Sequence, residues 1–266
     1  MLLCYVMASL ALLVPPHTRL TSVLQPLFSR RPFVSVPDFL TPSVTDSLVA
    51  DVESLRATMK PLAASAAHGS VEWFELLPRQ PAATDATSVS RSGRRQLLDL
   101  VSEIQSCIEE HANISLDANL TELRYAYYPC GGHYQRHVDA MHVGSVRREY
   151  SFILYLNTEW RPSDGGHLRV YEEDLSHTDI APRAGTLVVF KSDVVPHEVR
   201  PTTSRRLAIV GWYHRRVEVE EVDESSLSPL ALALLQHYRE KGKTIKLTAL
   251  PEPPQAQPRA QGSNSG

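Results

Sequence analysis

His137 and Asp139 stand two residues apart in His137-Val138-Asp139, and His197 follows far downstream in Pro196-His197-Glu198-Val199. In an extended chain, side chains two apart point to the same side, so one imidazole and one carboxylate can converge on a point. A third ligand from another strand completes a two-histidine, one-carboxylate face, the donor set that suits non-haem ferrous iron with open positions. Such a set lowers the formal charge of Fe(II) only to about +1, so an anionic co-substrate is still attracted. Nine residues after His197, Arg206 opens Arg206-Leu207-Ala208-Ile209-Val210-Gly211-Trp212-Tyr213. Its planar fork of donors suits the carboxylate of a bound acid. Strand alternation puts Arg206, Ala208, Val210 and Trp212 on one face, and Arg205, Leu207 and Ile209 on the other. A guanidinium buried on the first face must find an anion, either an internal Asp or Glu or a ligand. A slip of one residue would pass that role to Arg205.

Other histidines fit zinc chemistry poorly. His133 and His137 are four apart, but Tyr134 stands where a zinc-protease helix needs glutamate, and Gly131-Gly132 discourages a helix. Closed zinc sites are usually sulfur-rich. Cys4, Cys107 and Cys130 are too few and too scattered for that or for a disulfide framework, and the two interior ones read as free thiols. His142, His167 and His214 read as surface or strand-end residues, with His142 the one candidate for substrate contact.

The ordered set H-x-D, Gly165-Gly166, His197 and R-x-A-I-x-x-W spans roughly residues 120 to 214. It resembles the Fe(II)- and 2-oxoglutarate-dependent dioxygenases, in their prolyl 4-hydroxylase-like branch. The resemblance implies a mainly β protein with supporting helices (α+β) around a double-stranded β-helix, or jelly-roll, core. It implies Fe(II) on the catalytic ligands His137, Asp139 and His197, and 2-oxoglutarate as co-substrate. Arg206 and the Tyr155 hydroxyl would meet its far carboxylate, with Tyr128 a second pocket tyrosine and Tyr134 on the substrate side. L-ascorbate is the family's auxiliary reductant. The reaction it implies is hydroxylation of an unactivated C–H bond with release of succinate and CO2. Arg206 matches the soluble, arginine-bearing members; collagen-type enzymes carry lysine there. Related halogenases lack the carboxylate that Asp139 supplies, so this chain is expected to hydroxylate. The R-x-N-x-x-x-x-R pattern of the superfamily's nucleic-acid demethylases does not match Arg206-Leu207-Ala208.

The leading expectation is thus a dioxygenase acting on a prolyl residue of a peptide or protein. A hydroxylase of a free amino acid or other small molecule would use the same triad. A non-catalytic jelly-roll binding protein is the reading from another class, and the intact His137, Asp139, His197 and Arg206 speak against it. The loop from Ala140 to Arg148, which would shape substrate choice, varies within the family.

The elements that must position these residues follow from periodicity. With 266 residues, 42% hydrophobic, the chain can bury a substantial core. A formal charge of −3 with no basic stripe gives no reason to expect nucleic acid as a partner. Residues 32–118 are expected to form a helical support. Pro32–Leu40 reads as a strand, and Thr41-Pro42 as cap and first-turn proline of a helix to about Lys60, with Val44, Leu48, Val52, Leu55 and Met59 in one stripe. Val71–Leu77 is apolar and of uncertain type. Residues 81–92 read as an exposed loop, and a second helix follows with Leu97, Val101, Ile104 and Ile108 on one face. Residues 119–216 are expected to hold the jelly roll. Their strands are Glu122–Tyr128, Tyr150–Asn157, His167–Glu172, Gly185–Lys191 and Arg206–His214. Ser151, Ile153 and Tyr155 share one face of the second, and Phe152, Leu154 and Leu156 share the other.

Residues 217–250 read as an acidic linker and a last helix, and 251–266 as a disordered Pro-, Gln- and Ser-rich tail. Residues 1–31 read as a leader or disordered extension. This start is free of acids and its apolar run, closed by Pro15-Pro16, is too short to span a membrane. It suggests organelle or secretory targeting, with a cytoplasmic location as the alternative. The sequons at Asn113 and Asn119 do not settle the compartment.

Overall fold

Leu20, Leu24 and Leu27 recur at four- and three-residue spacing, and helix α1 (Pro16–Ser29) buries all three. The computed structural model describes residues 16–29, 31–61, 70–77, 88–140, 142–143, 145–172, 174 and 176–217. The chain divides into two units, Met1–Met141 with Ser145–Glu218, and His142–Gly144 with Val219–Gly266. Of the second, only the two-residue strand at His142–Val143 is described. The acidic run, last helix and tail expected beyond Val217 lie outside the described residues.

In the first unit, β1 (Phe33–Val36) leads into α2 (Pro42–Leu55), where the Thr41 hydroxyl caps Val44 N and Pro42 takes the first turn. This helix ends earlier than the expected Lys60. Arg56–Thr58 tighten into a 3-10 turn, and Lys60–Pro61 (β2) pair with β3 (Glu72–Leu77). Met59 is already extended, and Lys60, before Pro61, is driven toward extended backbone too, so the helix cannot run on to the expected end. Helix α3 (Ser88–Ala112) begins inside the stretch expected as loop, because serine is as much at home at a helix start as in a turn. Its Leu97, Val101, Ile104 and Ile108 are buried as the spacing predicts.

Then follow β4 (Glu122–Tyr128), β5 (Tyr134–His137), β6 (the strand of the second unit), β7 (Val146–Tyr155), β8 (Leu168–Tyr171), β9 (His177–Ile180), β10 (Leu187–Lys191), β11 (His197–Val199) and β12 (Arg206–Arg216). Two antiparallel sheets result within the first unit. The larger runs β1-β10-β7-β12-β4-β3-β2, and the smaller runs β5-β11-β8-β9. Alternation along β7 places its side chains in two different cores. Phe152 and Leu154 join Leu48, Ile104 and Ile108 of the helices, whereas Ile153 and Tyr155 join Leu168, Val170 and Val199 of the smaller sheet. The larger sheet is therefore covered on both faces, by helices and by the second sheet, in the jelly-roll arrangement.

Three findings differ from expectation. Part of the extension expected over residues 1–31 is helix α1, packed by its leucine stripe into the helical core. The segment 32–118 is more than helical support, since β1 and β3 pair with β10 and β4. Strand β9 was not anticipated, because as an edge strand it exposes three of its four side chains and shows no apolar alternation. No described helix is long and apolar enough to cross a membrane.

Gly211 of β12 sits opposite Phe152 in register, and a Cβ there would lie 2.2 Å from the Phe152 Cζ atom. Gly211→Ala should cost roughly 1–3 kcal/mol of stability, because the buried ring has nowhere to move. A denaturant midpoint equal to the wild type would show that the core gives way more easily than this contact implies.

Candidate active site

The first two ligand candidates meet through strand pairing. β5 and β11 are antiparallel neighbours with His137 directly opposite His197. β5 carries one more residue than β11 between this pair and Tyr134↔Val199, a bulge of the kind that re-aims a side chain. The two rings lie 4.3 Å apart between centroids. Nδ1 of His137 is 2.8 Å from Gln135 O, and Nδ1 of His197 is 3.0 Å from Val195 O. A carbonyl only accepts, so each Nδ1 carries a proton, and in the neutral form of each ring Nε2 keeps its lone pair for the centre. Asp139 closes the group, its Oδ1 lying 3.3 Å from His137 Nε2 and its Oδ2 3.9 Å from His197 Nε2. The ligand atoms all lie within 4.8 Å of one another, the one such group among the described residues.

Burial disfavours the charged form of Asp139, but the charge of His197 and the hydrogen bond and charge of His137 outweigh it. They hold its pKa well below the usual carboxylate range. His197, enclosed by the protein, is shifted downward by burial; burial also opposes charge on His137, but Asp139 wins there and raises it. The carboxylate is thus ready to take a cation, and Ser151 steadies it by donating to Oδ2 at 2.8 Å. This donor set, two Nε2 lone pairs and one carboxylate, fits a ferrous ion and leaves the rest of its coordination sphere open.

Arg206, 2% exposed, opens β12 on the face of Ala208 and Trp212. Its Nε donates to Gly166 O at 2.8 Å, and its guanidinium carbon lies 4.7 Å from the Tyr128 ring centre and 5.0 Å from that of Tyr155. Among the described residues no carboxylate pairs with it. Its Nη2 and the Tyr155 hydroxyl are both buried without a hydrogen-bond partner. Burial pushes the Tyr155 pKa up to about 12 against the pull of Arg206, so the hydroxyl keeps its proton. Burial raises that of Tyr128 as well. Two orphaned donors side by side fit the far carboxylate of a dianionic acid, since leaving them unpaired is costly. Arg205, by contrast, is exposed and paired with Glu53.

Gly166 permits this arrangement. At φ +69° it adopts backbone that favours glycine, and a Cβ there would press to 3.0 Å on the Arg206 Cδ. The Gly165-Gly166 pair of the motif therefore has a physical task beside the arginine.

A cleft of about 300 Å³ opens over the triad, lined among others by Trp73, Tyr128, Tyr134 and Trp212. Trp73 and Trp212 stack at 6.2 Å, with Arg124 over both rings and Arg148 over Trp212. Both indole Nε1 atoms are buried without a partner. Glu122 holds the two arginines. Burial opposes its charge, but His214, Arg148 and Arg124 bring its pKa down to about 2. His214 is accordingly a buried partner of Glu122 at 3.1 Å and not a surface residue. His133 turns to the Gly131 carbonyl and His167 meets the Trp160 ring edge-on, and neither joins the triad. The side chain of His142 lies outside the described residues. Sequence reasoning missed Trp73 and Arg124 as cleft residues and Ser151 as the partner of Asp139. For Ser151 a signal existed, a hydroxyl in the apolar second half of β7 on the face of Tyr155.

Residues 123–214 match the family model described as the 2OG-Fe(II) oxygenase superfamily. The chain is 38% identical over 126 residues to a hypoxia-inducible factor prolyl hydroxylase of Caenorhabditis elegans, covering 45% of this chain and 17% of that protein. It is 30% identical to a PKHD-type hydroxylase of Maricaulis maris, over 55% of this chain and 67% of that one. A solved prolyl-4-hydroxylase of Pseudomonas putida superposes with a TM-score of 0.64 at 30% identity, over 74% of this chain and 99% of the other. The chain spans a third or less of the length of the first curated relatives it matches.

Proposed function

The chain belongs to the 2OG-Fe(II) oxygenase superfamily, and on that premise we propose that it is an Fe(II)- and 2-oxoglutarate-dependent dioxygenase hydroxylating a prolyl residue in a peptide or protein. The observation that carries this reading is the pairing of two incomplete sites. A triad of His137, Asp139 and His197 has both Nε2 lone pairs turned inward, and Arg206 and Tyr155 nearby are each short of a hydrogen-bond partner. The names of the relatives from C. elegans and P. putida support the prolyl substrate. The flat walls of Trp73 and Trp212 suit a saturated ring.

In this reading His137, Asp139 and His197 hold Fe(II), while Arg206 and the Tyr155 hydroxyl grip the far carboxylate of 2-oxoglutarate. When bound, the iron supplies the redox chemistry by which one atom of dioxygen enters the C–H bond and the other enters succinate, with CO2 released. Ascorbate serves as auxiliary reductant. The chain's own contribution is placement. The carbonyls of Gln135 and Val195 fix the histidine tautomers, and Tyr155 stays protonated to donate. Tyr128, which lines the cleft and lies beneath the guanidinium, separates the acid end from the substrate end.

The test is succinate release with Fe(II), 2-oxoglutarate and ascorbate, compared across proline-containing peptides and free amino acids, with mass spectrometry of the products. The expected result is a 16-Da gain on a prolyl residue of a peptide, 16 Da being the mass of one oxygen atom added at about unit stoichiometry with succinate. Turnover stimulated by small molecules alone would overturn the peptide reading. Failure to develop the visible band of the ferrous 2-oxoglutarate complex under anaerobic conditions would overturn the enzymatic one.

A further inference from the structure

Asp139 is held from behind by a relay of two hydroxyl groups, the nearer of which bonds to it. Ser151 lies in β7, Ser192 directly follows β10, and both are fully buried. Pairing of Phe190 with Ser151 and a bond from Ser192 N to Glu149 O (3.1 Å) bring them together. The Ser151 oxygen is 2.8 Å from Asp139 Oδ2 and 2.8 Å from the Ser192 oxygen. A serine has one proton to give. The carboxylate only accepts, so the Ser151 proton goes to Asp139, and the second bond must run from Ser192 to Ser151. A buried hydroxyl in an apolar strand is costly unless bonded, and this chain of donors satisfies both.

We propose that Ser151 and Ser192 are positioning residues for the metal. Ser151, braced by Ser192, caps Oδ2 and so confines Asp139 to ligation through Oδ1, the oxygen 3.3 Å from His137 Nε2. A carboxylate free to turn could bind through both oxygens and cover a position that the co-substrate and dioxygen need. The donor chain withholds the second oxygen and polarises it, with Ser192 acting only through Ser151. This inference rests on the metal-site reading above and names the residues that hold it in shape.

The experiment uses Co(II) as probe, with affinity from calorimetry and geometry from its visible d–d absorption, in wild type, Ser151→Ala, Ser192→Ala, the double variant and Ser151→Thr. Thermal melting of the metal-free proteins reports the fold. Ser151→Ala should weaken Co(II) about 10-fold, the lower end for a lost outer partner, and shift the d–d bands. Ser192→Ala should weaken it about 3-fold, a neutral bond removed. The double variant should bind no more weakly than Ser151→Ala, since Ser192 has no other route to the metal, and Ser151→Thr should restore the bands. A purely structural role would lower melting temperatures and leave the bands alone. Wild-type affinity and bands in Ser151→Ala, or a Ser192→Ala effect that adds in full, would overturn the proposal. If Ser151→Ala does not fold, Ser192→Ala and Ser151→Thr decide. A weakened first and an intact second support the chain of donors, and the reverse sinks it. A wild-type protein that binds no Co(II) removes the metal-site reading itself, whereas wild-type binding with an indifferent Ser151→Ala removes this inference alone.

Discussion

Asp139→Ala is expected to reduce 2-oxoglutarate-dependent turnover to background and to weaken Fe(II) binding by at least about 100-fold, while the protein stays folded. Loss of an outer-shell partner already costs a metal site 10–100-fold, so loss of a direct, charged ligand costs no less than the upper end. The fold survives because the triad belongs to neither core. His137 and His197 sit where β5 and β11 meet and Asp139 just past the end of β5, while stability resides in the leucine stripes of the helices and the two faces of β7. The substitution leaves the Ser151 hydroxyl without its acceptor, worth about 1–3 kcal/mol, which lowers the melting temperature without unfolding the chain. Circular dichroism, anaerobic Fe(II) titration and succinate release read the three effects separately. Loss of folding along with the metal would mean that the ion is structural, as in a closed zinc site.

Arg206→Ala is the second large effect, and it should fall on a different ligand. The expected result is 2-oxoglutarate affinity weakened about 100-fold, roughly 3 kcal/mol, with Fe(II) affinity near the wild-type value. The guanidinium already spends Nε on Gly166 O, so its buried Nη2, with the neighbouring Tyr155 hydroxyl, is the part left to grip the acid in the proposed reading. Tyr155→Phe should lose less, about 10-fold, because a neutral donor contributes about half as much as a charged one. Arg206→Lys keeps the charge but forfeits the planar fork, and should fall between. Anaerobic titration of the ferrous 2-oxoglutarate band measures all three. An unchanged affinity in Arg206→Ala would move the anchor elsewhere in the cleft.

Much of the site was legible because its residues lie in strands with simple alternation. His137 and Asp139 share a side by spacing, and Arg206, Ala208 and Trp212 share another, so motif and period agreed. What could not be read was which strands become neighbours. Nothing local says that His197 will face His137, or that Trp73 will stack on Trp212 from over a hundred positions away. Strand β9 escaped because its side chains face solvent. Asn157, expected at the end of a strand, instead spends its amide on Pro182 O and Leu207 O and its carbonyl on Leu207 N, tying the end of β7 to the start of β12. Helix α1 was obscured by an acid-free composition shared with targeting sequences, which outweighed the leucine stripe that burial makes plain.

β5 is an edge strand of the smaller sheet, four residues long and paired among the described strands with β11 alone. One imidazole of the triad therefore rides on a strand paired on one side only, and the other on a neighbour paired on both. On the reading proposed above, loading an ion across the two works as a rivet. It lowers the free energy of the paired form and not of the frayed one, so metal occupancy and closure of that rim rise and fall together.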